Sequence, residues 1–293
     1  MARIEANNLY KKYKSNNVLC GLDFICEDEI MFLAGKNGSG KTTFIRIATG
    51  MERADSGCVK LLSGSKKLSN QKVGAVFDSP CLYHNMTGKE NLDILCTGHF
   101  DDKKYSDKIL ECLKIDNRFL SMKAEKYSFG QKHRLSVAIA LIRKPTILFL
   151  DEPTIGLDPE SWDYVRNGIM LNRSEQKGCV VITGQDYFEL GSIADSILIL
   201  SEGKSKYYGS IDEFVNKFPK MVKLTTNTNI LPKSLAVLSP SCNSCGDLLY
   251  NYTFNGVEPE KIFSLIKDCD IVIKNISVEE TSLKDAVLYI QNQ

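Results

Sequence analysis

Gly35-Lys36-Asn37-Gly38-Ser39-Gly40-Lys41-Thr42 is the stretch whose reading decides the fold. It satisfies the phosphate-loop spacing G-x-x-x-x-G-K-[ST] at every fixed position. Its flanks agree with that reading. Ile30-Met31-Phe32-Leu33-Ala34 is an apolar run of strand length, and Thr42-Thr43-Phe44-Ile45-Arg46-Ile47-Ala48 reads as a helix ending near Gly50. Glycines let a backbone curl until successive N–H groups point inward, and a helix N-terminus adds partial positive charge. The stretch is therefore expected to hold nucleotide phosphates, with Lys41 reaching the β- and γ-phosphates and Thr42 holding Mg²⁺.

Working outward, the chain alternates between strand and helix patterns. Residues 3–9 and 18–26 read as edge strands, and Val59–Leu62 and Val73–Phe77 as further strands. Thr87-Gly88-Lys89-Glu90 is a capping box that opens a helical insertion over about 79–144. Its last helix opens at Gly130, carries Leu135, Ala138, Ile139 and Ile142 at helical spacing, and closes before Pro145. Thr146–Leu150 is a fully apolar strand. A helix from about Pro159, strand Cys179–Thr183, a helix near Phe188–Ala194 and strand Ile197–Leu200 follow. This alternation predicts an α/β fold around a mostly parallel sheet, with ligands at the carboxyl ends of its strands. The pattern changes after residue 218. Residues 219–293 are expected to form a small α+β domain, with a strand over Leu248–Phe254, a helix over Glu258–Lys267, a strand at Ile271–Ile273 and a closing helix over Ser282–Ile290.

Composition narrows the function classes. The chain has 293 residues, 43% hydrophobic and 25% charged, with a net charge of +1. That balance gives no footprint for nucleic acid. No apolar run approaches the ~20 residues of a membrane-spanning helix, and the first residues show no signal-peptide core. A cytoplasmic protein is expected. The ten cysteines are then expected to be mostly small buried apolar groups. Cys242-Asn243-Ser244-Cys245 lacks a second pair, and His84, His99 and His133 are distant in sequence.

The apolar strand ending in Asp151-Glu152 is the second strong signal. Asp151 suits Mg²⁺, which takes few carboxylates and keeps its waters. Glu152 suits a general base acting on water. With these motifs in place, the first 210 residues or so resemble the ATP-binding-cassette family. The resemblance runs in order. Tyr13 matches the aromatic residue that stacks on adenine, Gly35–Thr43 the phosphate loop, and Asp78 the position of the glutamine loop. Tyr127-Ser128-Phe129-Gly130-Gln131 matches the signature Leu-Ser-Gly-Gly-Gln. Leu148–Glu152 matches the acidic strand, Ile155-Gly156-Leu157-Asp158 the dimer-contact loop, and Gln185 the position of the switch histidine.

The resemblance implies an ATPase with a helical subdomain, residues 1–218, that takes ATP and Mg²⁺. Gly35, Lys36, Asn37, Gly38, Ser39, Gly40, Lys41, Thr42 and Thr43 would hold the nucleotide with Tyr13. Thr42, Asp151 and Asp78 would hold the metal, and Glu152, Gln185 and Asp78 would act in catalysis. Ser128, Gly130 and Gln131 would reach the nucleotide of a second cassette. The implied partners are an integral-membrane permease and another cassette, in a homodimer or heterodimer at the cytoplasmic face of the membrane. The tail Ile273–Leu288 resembles the end of drug, antibiotic and bacteriocin exporters that work with a separate permease. DNA-repair and translation cassettes resemble the chain less, since they carry long coiled coils or two cassettes.

Three departures from the pattern imply slow turnover in isolation. Asp78 replaces glutamine and adds negative charge. Gln185 replaces histidine, so it donates a hydrogen bond but holds no charge. Phe129 replaces a signature glycine that allows close backbone approach. An ATP-gated dimer switch, or the degenerate half of a heterodimer, stays open as an alternative.

Overall fold

The run Ile30–Ala34 lies inside a six-stranded sheet, and each of its residues is buried. In the computed structural model, β1 (Ala2–Tyr13) and β2 (Asn16–Glu27) precede this run, which is β3. Next come α1 (Lys41–Ala48), β4 (Ser56–Ser63), β5 (Lys66–Lys67) and β6 (Val73–Val76). The helical insertion holds α2 (Gly88–Leu95), α3 (Lys103–Cys112), α4 (Asn117–Ser121) and α5 (Phe129–Ile142). It is followed by β7 (Ile147–Leu150), α6 (Pro159–Gln176), β8 (Cys179–Thr183), α7 (Tyr187–Gly191), β9 (Ser196–Ser201) and β10 (Lys204–Ser210). The structure describes all residues except 97–101, 219, 245–248, 255, 256, 258, 268, 270, 292 and 293.

The central sheet has the order β10-β9-β3-β8-β7-β6, and β9, β3, β8, β7 and β6 run parallel. Parallel strands covered on both faces need continuous apolar runs, and β3, β7 and β8 are buried at every position. The second sheet is antiparallel, in the order β2-β1-β4-β5. Rings bind these layers to the phosphate-loop helix. Phe44 on α1 meets Phe24 of β2 edge-on at 5.3 Å and Phe149 of β7 at 6.2 Å. Removing a buried ring of this kind costs about 3–5 kcal/mol, so α1 is held firmly between the sheets.

Helix starts follow local chemistry. Thr87 and Glu90 exchange hydrogen bonds at the start of α2, as the capping box predicts. Ser128 and Gln131 do the same for α5, and Asp158 with Pro159 starts α6. The periodicity places one apolar stripe on α5, but the helix buries Val137, Ala140 and Leu141 as well. It is thus enclosed on more than one face. His133 on the same helix is fully buried, with no partner at either ring nitrogen.

The chain separates into the units Met1–Gly209 and Ser210–Gln293, ahead of the boundary expected after residue 218. The second unit contains α8 (Ile211–Val215), β11 (Met221–Thr226), α9 (Lys233–Ala236), β12 (Ser241–Ser244), β13 (Tyr250–Phe254), α10 (Pro259–Lys267), β14 (Ile273–Glu279) and α11 (Leu283–Gln291). Aromatic contacts explain why residues 210–218 belong to it. Phe214 packs edge-on against Phe218 at 5.2 Å, and Phe218 against Tyr289 of α11 at 5.6 Å. Its antiparallel sheet, β12-β13-β11-β14, encloses a separate core of Val222, Leu224, Leu235, Tyr252, Phe254 and Ile262. The strand expected at Ile271–Ile273 instead starts at Ile273 and runs to Glu279, because β11 pairs along that whole length. Leu248 and Glu258, the expected starts of two elements, lie outside the described residues.

The cysteines correct a further expectation. Only Cys26, Cys96 and Cys179 are buried among the described residues, while Cys58, Cys81 and Cys242 are exposed. Cys245 and His99 lie outside the described residues. Among the described residues no helix is long and apolar enough to cross a membrane.

Burial pushes the His133 imidazole down to about 4. The unfolded chain then binds a proton that the fold refuses, so stability is full above the ordinary histidine value. It falls as pH drops from about 6.5 towards 4, by on the order of 3 kcal/mol. His133→Leu loses no hydrogen bond. Thermal unfolding should show it at least as stable as wild type at pH 7.5, and less weakened by acid.

Candidate functional site

The phosphate loop is shaped by what cannot fit in it. Gly40 caps α1 at φ 109°, and a Cβ there would stand 2.8 Å from Leu19 Cδ2 and 2.9 Å from the Val18 carbonyl. A Cβ on Gly35 would lie 2.4 Å from Ser39 Oγ and 2.6 Å from the Leu200 carbonyl. The Ser39 N–H donates to the Lys36 carbonyl at 3.1 Å and closes the turn. Lys41 follows at the helix start and is only 6% exposed. Its ammonium donates to the carbonyls of Gly35 at 2.8 Å and Lys36 at 3.3 Å, and lies 3.9 Å from Glu152 Oε1.

The acidic pair sits at the carboxyl end of β7. The Asp151 N–H donates to the Val76 carbonyl at 2.8 Å, which continues the parallel ladder to β6. The Asp151 carboxylate is buried, and the Thr183 hydroxyl donates to its Oδ1 at 2.6 Å. Glu152 has φ 54°, and its N–H donates to Thr183 Oγ1 at 3.0 Å. Its Oε2 is buried and has no hydrogen-bond partner. From the end of β8, the Gln185 amide donates to the Gly35 carbonyl at 3.3 Å and to Asn37 Oδ1 at 3.1 Å.

Burial governs the charges. It pushes the Glu152 carboxyl above its usual range, against the pull of Lys41 and with help from Asp151 and Asp78. It pushes the Lys41 ammonium down, against the pull of Glu152 and Asp151. Both partners of the 3.9 Å pair therefore move towards neutrality, and desolvation outweighs their attraction.

Lys41, Glu152 and Gln185 line a cleft of about 520 Å³. Of the sequence-predicted residues, it brings together Asn37, Gly38, Gly40, Lys41, Thr42, Thr43, Asp78, Glu152 and Gln185. Ile155, from the expected dimer-contact loop, also lines it, as do Asn16 and Val18, which carried no sequence signal beyond their nearness to motifs. The Asp78 carboxylate accepts the N–H of Ser79 at 2.8 Å. Tyr13, Gly35, Lys36, Ser39, Asp151, Ser128, Gly130 and Gln131 are outside the lining. The Tyr13 hydroxyl donates to Glu52, and Lys11 Nζ lies 5.3 Å from the centre of its ring. The Ser128 N–H donates to Gln131 Oε1 at 3.0 Å, and the Gln131 N–H to Ser128 Oγ at 3.2 Å. The Phe129 ring fills the space beside Gly156, where a Cβ would come within 2.6 Å of its Cδ1.

The cleft fits a nucleoside triphosphate. It offers a buried ammonium, a curled backbone and, on Glu152, a buried oxygen without a partner. Among the described residues no three acidic or imidazole groups converge into a ready metal cage.

Likeness to known proteins agrees with this geometry. Residues 23–155 match the family described as ABC transporter. The chain is 26% identical, over 99% of its length and 97% of the relative, to the uncharacterized ABC transporter ATP-binding protein YcbN of Bacillus subtilis (strain 168). It is 32% identical to the bacitracin transport ATP-binding protein BcrA of Enterococcus faecalis, over 68% of this chain and 67% of that one. A dimeric ATP-binding cassette in a post-hydrolysis state, bound to ADP and phosphate, shares the fold with a TM-score of 0.62 at 24% identity, over 71% of this chain and 98% of that chain. A phosphate loop packed against an acidic strand end, carried on a chain this similar to transport ATP-binding proteins, makes it a member of the ABC transporter family, an ATP-binding subunit.

Proposed function

We infer that this subunit hydrolyses Mg·ATP to drive an exporter whose membrane-spanning permease is a separate chain. The observation that carries the reading is the single cleft holding Lys41, Thr42, Asp78, Glu152 and Gln185. The loop N–H groups and Lys41 would hold the phosphates, with Tyr13 beside the base. Thr42 and Asp151, with Asp78, would hold Mg²⁺, which when bound supplies charge neutralisation at the phosphates. Glu152, with an unpartnered buried oxygen, would take the proton of water. Gln185 would orient the terminal phosphate, and Ser128, Gly130 and Gln131 would complete the site of a second cassette, identical or related.

Residues up to about 209–218 would form the cassette, and the remainder an accessory domain. A groove of about 170 Å³ between β6 and the helical insertion, bounded by Phe77, Pro80, Leu95, Ile139 and Arg143, supports permease docking at the cytoplasmic face. Likeness to a bacitracin transport protein supports an antibiotic or bacteriocin-like peptide as cargo. Turnover without the permease would be slow. Asp78 adds charge, Phe129 occupies a glycine position, and the Gln185 amide is already engaged with the loop.

The ATP-gated switch is the second reading, and the engaged Gln185 amide favours it. Glu152→Gln separates the two. Hydrolysis should fall by about 10²–10³, with Mg·ATP binding retained by calorimetry. An export cycle that survives this substitution supports the switch, and loss of ATP binding would contradict both readings. Lys41→Met should abolish ATP binding in the same assay.

Steady-state phosphate release from the purified chain should stay well below tens per second, and Gln185→His should raise it. Turnover at tens per second without permease would refute the slow site.

A further inference from the structure

We propose that Thr183 is a positioning residue for the acidic pair: one buried hydroxyl fixes the Asp151 carboxylate and the Glu152 backbone together at the end of β7, beside the cleft that Glu152 lines. The proposal rests on reading that cleft as a Mg·ATP site.

Thr183 is the last residue of β8 and is fully buried. Leu150 of β7 pairs with Ile182, so Asp151 and Thr183 leave adjacent strands one step further on. A carboxylate only accepts, so the 2.6 Å bond must carry the Thr183 proton to Asp151 Oδ1. A backbone N–H only donates, so the 3.0 Å bond must run from Glu152 to Thr183 Oγ1. The direction of both bonds is thus fixed by chemistry, with no free choice of hydroxyl rotor. A short bond to an ionised acceptor is also among the stronger hydrogen bonds.

Each bond restrains a different degree of freedom. The first fixes rotation of the Asp151 carboxyl group. The second anchors Glu152 at φ 54°, a left-handed conformation that non-glycine residues seldom adopt. The Glu152 side chain starts from that backbone, with Oε1 3.9 Å from Lys41 Nζ and Oε2 unpartnered. Space filling alone does not account for a threonine here. The four preceding residues of β8 are apolar, and valine has the same shape and a good strand propensity. Only the hydroxyl distinguishes Thr183 from its neighbours.

The test compares Thr183→Val, Thr183→Ser and Asp151→Asn in the full chain. Mn²⁺ binding in the presence of ATP is read by electron paramagnetic resonance, alongside phosphate release and thermal unfolding. Residues that orient a metal's ligands typically contribute about 10–100-fold to metal affinity. Thr183→Val, still folded, should weaken Mn²⁺ binding about tenfold and lower kcat more than it raises KM for ATP. Thr183→Ser should restore both to within about twofold, which a packing role would not predict. If Thr183→Val does not fold, Thr183→Cys replaces it under the same thresholds, since a thiol is a weak donor. A folded variant that binds Mn²⁺ like wild type, while Asp151→Asn does not, overturns the role of Thr183 alone. If Asp151→Asn also binds like wild type, the reading of the acidic end as a cation site falls, and this proposal with it.

Discussion

A buried ammonium must be answered by oxygen, and the architecture around Lys41 is arranged to do so. The ammonium donates to the carbonyls of Gly35 and Lys36, and the carboxylate of Glu152 stands 3.9 Å away. Those oxygens come from both sides of the cleft, the loop and the end of β7. An apolar wall in place of these oxygens would push the ammonium further towards its neutral form. The site is therefore one electrostatic unit, although its members lie far apart in sequence.

The sheet makes that unit possible. β3, β8 and β7 lie side by side and parallel, so the loop after β3, the acidic pair after β7 and Gln185 after β8 emerge at the same edge. The rings of Phe24, Phe44 and Phe149 then fix the distance between α1 and β7. Rigidity beneath the cleft leaves motion to the parts that carry few such anchors. Lys41 Nζ and Glu152 Oε1 stand 3.9 Å apart, too far for a hydrogen bond, and burial moves both groups towards neutrality.

Much of this was legible in the sequence because it is local. The phosphate loop is a fixed spacing, the buried strands are apolar runs of the right length, and the capping box at Thr87 is a four-residue pattern, whereas the expected helix start at Gly130 overlooked the capping box at Ser128. What escaped was non-local or chemically understated. β10 (Lys204–Ser210) and β12 (Ser241–Ser244) lack an apolar alternation, because they sit at sheet edges and owe their form to a neighbour. Residues 210–218 carry no turn signal strong enough to show that Phe214 and Phe218 belong with Tyr289. Thr183 ends a run that reads as plain core, and nothing in Cys179-Val180-Val181-Ile182-Thr183 marks one hydroxyl as different. The Phe129 substitution was visible, whereas its seat beside Gly156 was not.

The distribution of thiols has a practical side. Cys26, Cys96 and Cys179 are shielded inside the first unit, whereas Cys81 is exposed and lies on the rim of the groove beside the helical insertion. Alkylating dyes reach thiols in proportion to their exposure and thiolate content. With the other exposed thiols, Cys58 and Cys242, replaced, Cys81 becomes a native attachment point for an environment-sensitive fluorophore at that groove.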